Sequence, residues 1–195
     1  MRARPLLLLL LPAAWLAPAA EVAAFPFGSA TCEANADGSF MVTPFRTHYP
    51  GQNGGYLLEF GRPDFYAGET LRVELRHGSG GLFKGFLLYA QTPSAVREGL
   101  FTPAVGTTLG GILPAECANF GHTITHDNPN APDPVRTRLA LAWTAPSLAP
   151  ETLEFRGLVL RVDPMTQVTD AFFELRTTLP YAPDGIFRDR FDSVP

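Results

Sequence analysis

The sequence predicts an all-β fold: an antiparallel β-sandwich of about six to eight short strands. Three observations predict it. Apolar and polar residues alternate at period two in several segments. Turn formers separate those segments, with 18 glycines and 19 prolines in 195 residues. No window carries the apolar stripe of a helix.

The first residues stand apart from the fold. Arg2 and Arg4 precede six leucines at 6–11, and a small-residue stretch ends at Val22-Ala23-Ala24. This is the layout of a secretory signal peptide over residues 1–24, cleaved after Ala24. The leucine run is too short to span a bilayer. The mature chain is therefore expected outside the cell, with no membrane span. Loss of Arg2, Arg4 and Glu21 takes the net charge from −4 to −5, which argues against nucleic acid or an anionic membrane as partner. Cys32 and Cys117 are the two cysteines, and in an exported chain the default is one disulfide between them.

The folded domain is expected over residues 25–178. Residues 25–55 are rich in Gly, Pro, Asn, Asp and Ser and read as an extended segment held at Cys32. YLLEF, residues 56–60, is a short strand. In TLRVELRH, residues 70–77, Leu71, Val73 and Leu75 alternate with Arg72, Glu74 and Arg76, as in an antiparallel strand with one wet face. GLFKGFLLYAQ, residues 81–91, follows a Gly/Ser turn. It fails as a phosphate loop, because its lysine precedes the glycine and no Ser/Thr follows. It is apolar on both faces, so it belongs in the middle of the fold. VRTRLALAW puts Val135, Leu139, Leu141 and Trp143 on one face, and Pro146 soon follows its end. TLEFRGLVLRV, residues 152–162, is a long strand whose apolar phase shifts at Gly157, which predicts a bulge there. Residues 168–175, with Phe172 and Phe173, form the last strand. Residues 179–195 are a C-terminal tail.

In this order the pieces resemble the reeler domain. They are FPFGSATC near the mature start, YAGETLRVEL, FKGFLLYAQ, GLF at 99–101, Cys117, Thr125-His126, LAWTAP and LEFRGLVL. The chain departs from the family pattern at Tyr89 (usually Gln), Ala67 (usually Pro) and Asp127 (usually Ser). The resemblance implies an immunoglobulin-like antiparallel β-sandwich with Cys32 and Cys117 paired. It implies a noncatalytic extracellular module for adhesion or matrix contact, or for defence. The tail GIFRDRFDSVP resembles the short C-terminal tails of some exported bacterial proteins, except that Arg190 stands where those carry glycine.

Two site hypotheses arise from the residues. His122 and His126 lie four apart in GHTITHDN, so on a strand they share a face and could hold a metal with Asp127 nearby. The plainer reading makes Thr125-His126 a hydrogen-bonded structural pair, and it is preferred because no third ligand is evident. Tyr56 and Tyr66 lie beside turns and could stack a sugar, against the plainer reading that such rings cap the sandwich. No G-x-S-x-G is present, and Asp163, Asp170 and Glu174 read as solvated edge residues. The chain is thus expected to be no enzyme and to need no cofactor. It should be a monomer that binds an extracellular protein or glycan.

Overall fold

Alternation decides which face each strand buries, and a chain of short alternating strands buries most by stacking two sheets. The computed structural model describes residues 33–34, 47–109, 121–126, 135–166 and 169–183. In chain order the strands are β1 (Thr47–Tyr49), β2 (Tyr56–Phe60), β3 (Thr70–His77), β4 (Leu82–Gln91) and β5 (Leu100–Thr102), followed by β6 (Thr107–Leu109), β7 (Thr123–His126), β8 (Arg138–Thr144), β9 (Thr152–Val162) and β10 (Thr169–Pro180). One sheet has the order β1-β10-β9-β4-β7-β6 and the other β2-β3-β8-β5. All pairings are antiparallel except β1 with β10. This is an immunoglobulin-like β-sandwich, with no helix among the described residues.

The predicted strands at residues 56–60, 70–77 and 152–162 have those bounds, and β4 and β8 fall within their predicted segments. Between the sheets, Trp143 meets Phe155 edge-on at 4.9 Å and Phe65 at 5.9 Å. Leu71, Val73 and Leu75 join them from β3, and Phe86, Leu88 and Ala90 from β4. The strands that alternation did not reveal are β1, β5 and β6, each three residues long. Three residues are too few to show a period.

Three expectations are corrected. Gly157 is not a bulge: it pairs in register with Leu175 on one side and Leu88 on the other. Period two persists through β9. Leu153, Phe155 and Val159 face the inter-sheet core, while Leu158 and Leu160 face outward into a second cluster with Leu87, Tyr89, Phe172 and Ala34. The apparent phase shift is the outer face becoming apolar. Gly157 is small because a Cβ there would lie 2.7 Å from the Leu87 carbonyl oxygen. Val135 does not share the inner face of β8 and is 39% exposed. Residue 136 leaves that line and pairs with Phe83 of the other sheet through two 2.8 Å backbone hydrogen bonds. The fold also runs past residue 178. β10 continues to Pro180, and the Ala182 N–H donates to the Phe65 carbonyl at 2.8 Å.

The bulge that the phase argument sought lies in β4. The register with β9 shifts between Phe83 and Gly85. Before it the odd residue Phe83 faces the core; after it the even residues Phe86, Leu88 and Ala90 do. One inserted residue therefore lets β4 keep apolar groups on the core side along its length.

Candidate functional site

A bulge leaves backbone groups without ladder partners. Here two side chains of β7 take them. The Phe86 N–H donates to Nδ1 of His126 at 3.2 Å, and the Thr125 hydroxyl donates to the Phe86 carbonyl at 2.6 Å. His126 is 2% exposed, and its ring closes on Gly85, where a Cβ would sit 3.1 Å from its Cε1. Because Nδ1 accepts, the ring proton sits on Nε2. Thr125-His126 is thus a clamp on the bulge of FKGF, and two separate sequence motifs form one structural unit.

His122 precedes β7 and has no part in the clamp. Its Nδ1 is buried without a hydrogen-bond partner, and burial holds its pKa below the ordinary histidine value, against the opposing pull of Glu98. Among the described residues no three His, Cys, Asp or Glu side chains come together as a metal site. Asp127, Cys32, Cys117 and the tail lie outside the described residues.

The two tyrosines go to different places. Tyr56 does not offer its ring to a ligand. It is fully buried, packs edge-on against His77 and Phe83, and donates its hydroxyl to the Leu82 carbonyl at 2.6 Å. Burial pushes its pKa up to about 12. Tyr66 is half-buried at the surface, with the Arg62 guanidinium 3.9 Å above its ring. Arg62 in turn reaches Asp64 at 2.7 Å and Glu69 at 3.4 Å. That face of Tyr66 is already occupied by a cation.

The concave feature is elsewhere. The loop from β1 to β2 and the outer face of β10 enclose a cleft of about 710 Å³ lined by Gly51, Gln52, Asn53, Gly54, Glu174 and Arg176. The loop is shaped by glycines at φ +67°, +58° and +85° (Gly51, Gly54, Gly55), a region that side-chain-bearing residues avoid. It is pinned from both sides. Oε2 of Glu174 accepts the Gly51 N–H at 3.0 Å, and the Glu174 N–H donates to the Gln52 carbonyl at 2.9 Å. The Ser79 N–H donates to Nδ1 of His77 at 3.1 Å, so Nε2 of His77 carries its proton and donates to the Gly54 carbonyl at 3.0 Å. Oε1 of Glu174 lies 3.2 Å from Nε2 of His48, an ion-pair distance without hydrogen-bond alignment. Glu174 is therefore no solvated edge residue but the strut of the loop.

Sequence reasoning missed Gln52, Asn53, Glu174 and Arg176. The available signal was PGQNGG, residues 50–55, a turn with two amide side chains at its tip. Its opposite wall comes from residues more than a hundred positions later.

Two immunoglobulin-like sheets, a bulged central strand and a rigid polar loop at one edge define a β-sandwich of the extracellular module class. The chain belongs to the reeler domain family, whose pattern matches residues 40–164, well over half of it. Reeler domains are an extracellular domain type. Among solved structures, the Reelin-N domain of F-spondin superposes with a TM-score of 0.50 at 16% identity, covering 71% of this chain and 94% of that one. The human F-spondin reeler domain gives 0.51 at 16% identity, covering 72% and 96%. At that identity the likeness is one of fold. No curated protein sequence matches the chain. Among the described residues no helix is long and apolar enough to cross a membrane.

Proposed function

We propose that the chain is a secreted, noncatalytic binding module of reeler type that takes a protein or glycan ligand in the cleft between residues 50–55 and β10. The observation that carries this is the rigidity of the cleft. Three positive-φ glycines, the Glu174 strut and the His77 hydrogen bond fix its shape before any ligand arrives, and a preformed site loses less entropy on binding. The chemistry lining it is polar and neutral to mildly charged, suited to hydrogen-bonded recognition rather than to a reaction. In this reading residues 1–24 are removed, Cys32 and Cys117 form a disulfide, and the mature domain is monomeric. His126 serves the bulge rather than a metal.

The test is to incubate the purified mature chain with panels of matrix proteins and glycans. The Gln52→Trp variant is run beside it. Gln52 is exposed, so an indole there obstructs the cleft without entering the core. Binding that is lost with Gln52→Trp supports the proposal. Binding that survives it sinks the cleft as the site, and turnover of the bound ligand sinks the noncatalytic reading.

A further inference from the structure

Next to the cleft, the outer face of the six-stranded sheet carries an electrostatic mismatch. Arg176 of β10 and Arg156 of β9 are directly opposite in register and point to the same face. Like charges directly opposed across two strands destabilise a sheet. Among the described residues both share one carboxylate, Glu154, which lies 2.8 Å from Nε of Arg176 and 3.9 Å from Nε of Arg156. Glu154 also faces the Gln91 amide at 3.4 Å. On the far side of Arg156 in the same row stands Tyr89, whose ring is covered by the Arg97 guanidinium at 3.9 Å, and Arg97 pairs with Glu33. The row thus holds one guanidinium more than its carboxylates balance, in a chain of net charge −4. Arg176 is 63% exposed and lines the cleft.

We infer that Arg176, backed by Arg156, is a carboxylate subsite of the cleft, and that the ligand is a sugar acid: an oligosaccharide bearing a uronate carboxylate. This rests on the binding-module reading above. A planar guanidinium fork matches a carboxylate with two parallel hydrogen bonds. The Gln52 and Asn53 amides, the glycine backbone and the Glu174 carboxylate offer donors and acceptors suited to sugar hydroxyls. No aromatic side chain lines the cleft, so stacking cannot orient the ring and charge must do so. The volume of about 710 Å³ accommodates one or two sugar residues. A strongly acidic peptide would bring several charges to an acidic surface, whereas an isolated carboxylate brings one.

The experiment is calorimetric titration of the mature chain, at about 0.1 M salt where surface charge is already screened beyond about 10 Å. The probes are a galacturonate tetrasaccharide, its carboxyl-reduced counterpart and an acidic tetrapeptide. Carboxyl reduction and Arg176→Gln should each weaken binding about tenfold or more, the range of a charged hydrogen-bonded contact. Combined, they should weaken it no further than either alone, because they remove the same contact. Arg72→Gln is the matched control: Arg72 is 65% exposed but lies in the other sheet, beside Glu74. It should bind as the parent does. Equal binding of the reduced sugar, or indifference to Arg176→Gln, overturns the inference. So does an Arg176-dependent peptide that binds as tightly, or no binding of the uronate at millimolar concentration. In each of these cases Gln52→Trp still reports separately on whether the cleft binds anything.

Discussion

Replacing His126 by Ala is the sharpest test of how this fold is held. The Phe86 N–H would lose its acceptor in the interior, a penalty of about 1–3 kcal/mol. The ring fills a site that is 2% exposed, and removing it leaves a void costing about 2 kcal/mol more. The expected loss is about 3–5 kcal/mol. Thr125→Val keeps the shape and removes only the donor to the Phe86 carbonyl, so it should cost about 1 kcal/mol. Both variants act on one residue, so the double variant should lose less than their sum by at least about 0.5 kcal/mol. Urea unfolding followed by circular dichroism measures all three. For a domain of this size the His126→Ala midpoint should fall by roughly 10 °C on heating. A His126→Ala variant within about 0.5 kcal/mol of the parent would refute the clamp, since that is the scatter of inconsequential surface changes. So would a chelator that lowers the parent to the stability of the variant, because the histidine would then be serving a metal.

Three further predictions follow from particular contacts. Gly157→Ala should cost about 1–3 kcal/mol, because its Cβ would meet a backbone oxygen of a central strand at 2.7 Å; Gly61→Ala, whose nearest neighbour would be 3.8 Å away, is the control and should be near neutral by the same unfolding assay. Tyr89→Phe removes the hydroxyl that accepts from the Ala34 N–H at 3.2 Å and donates to Glu33 at 3.0 Å; the cost should be about 1–2 kcal/mol, and an unchanged urea midpoint would show that residues 33–34 do not depend on it. Burial depresses the pKa of His122 below its ordinary 6.5. As pH falls below that value the unfolded chain takes up a proton the folded chain resists. The stability His122 contributes is therefore complete above pH 6.5 and lost as pH falls through the lowered folded value. His122→Gln should flatten the stability profile between about pH 6.5 and 5, and identical profiles for parent and variant would contradict this.

The strand segments were legible because alternation is a local property. Leu71, Val73 and Leu75 announce a half-wet strand whatever lies around them, and the two apolar faces of FLLY announced that β4 is covered on both sides, as it is. The family was legible too, through short motifs in a fixed order. The bulge was not placed correctly, because Leu158 and Leu160 turning apolar on the outer face imitate a phase shift at Gly157, while the true insertion in FKGF is masked by residues apolar on both sides.

What the sequence determined by itself is therefore the all-β class, the extent of the long strands and membership of the reeler family, since each depends on residues near one another in the chain. What the tertiary structure alone decided is which distant groups meet. Thr125-His126 became a clamp because register carries β7 past the bulge of β4. Tyr56 went into the core rather than to a ligand. PGQNGG became one wall of a cleft because Glu174 and Arg176 face it from β10. The physical reason is that strand pairing joins residues a hundred or more positions apart, and no period in the sequence records which strand will lie beside which.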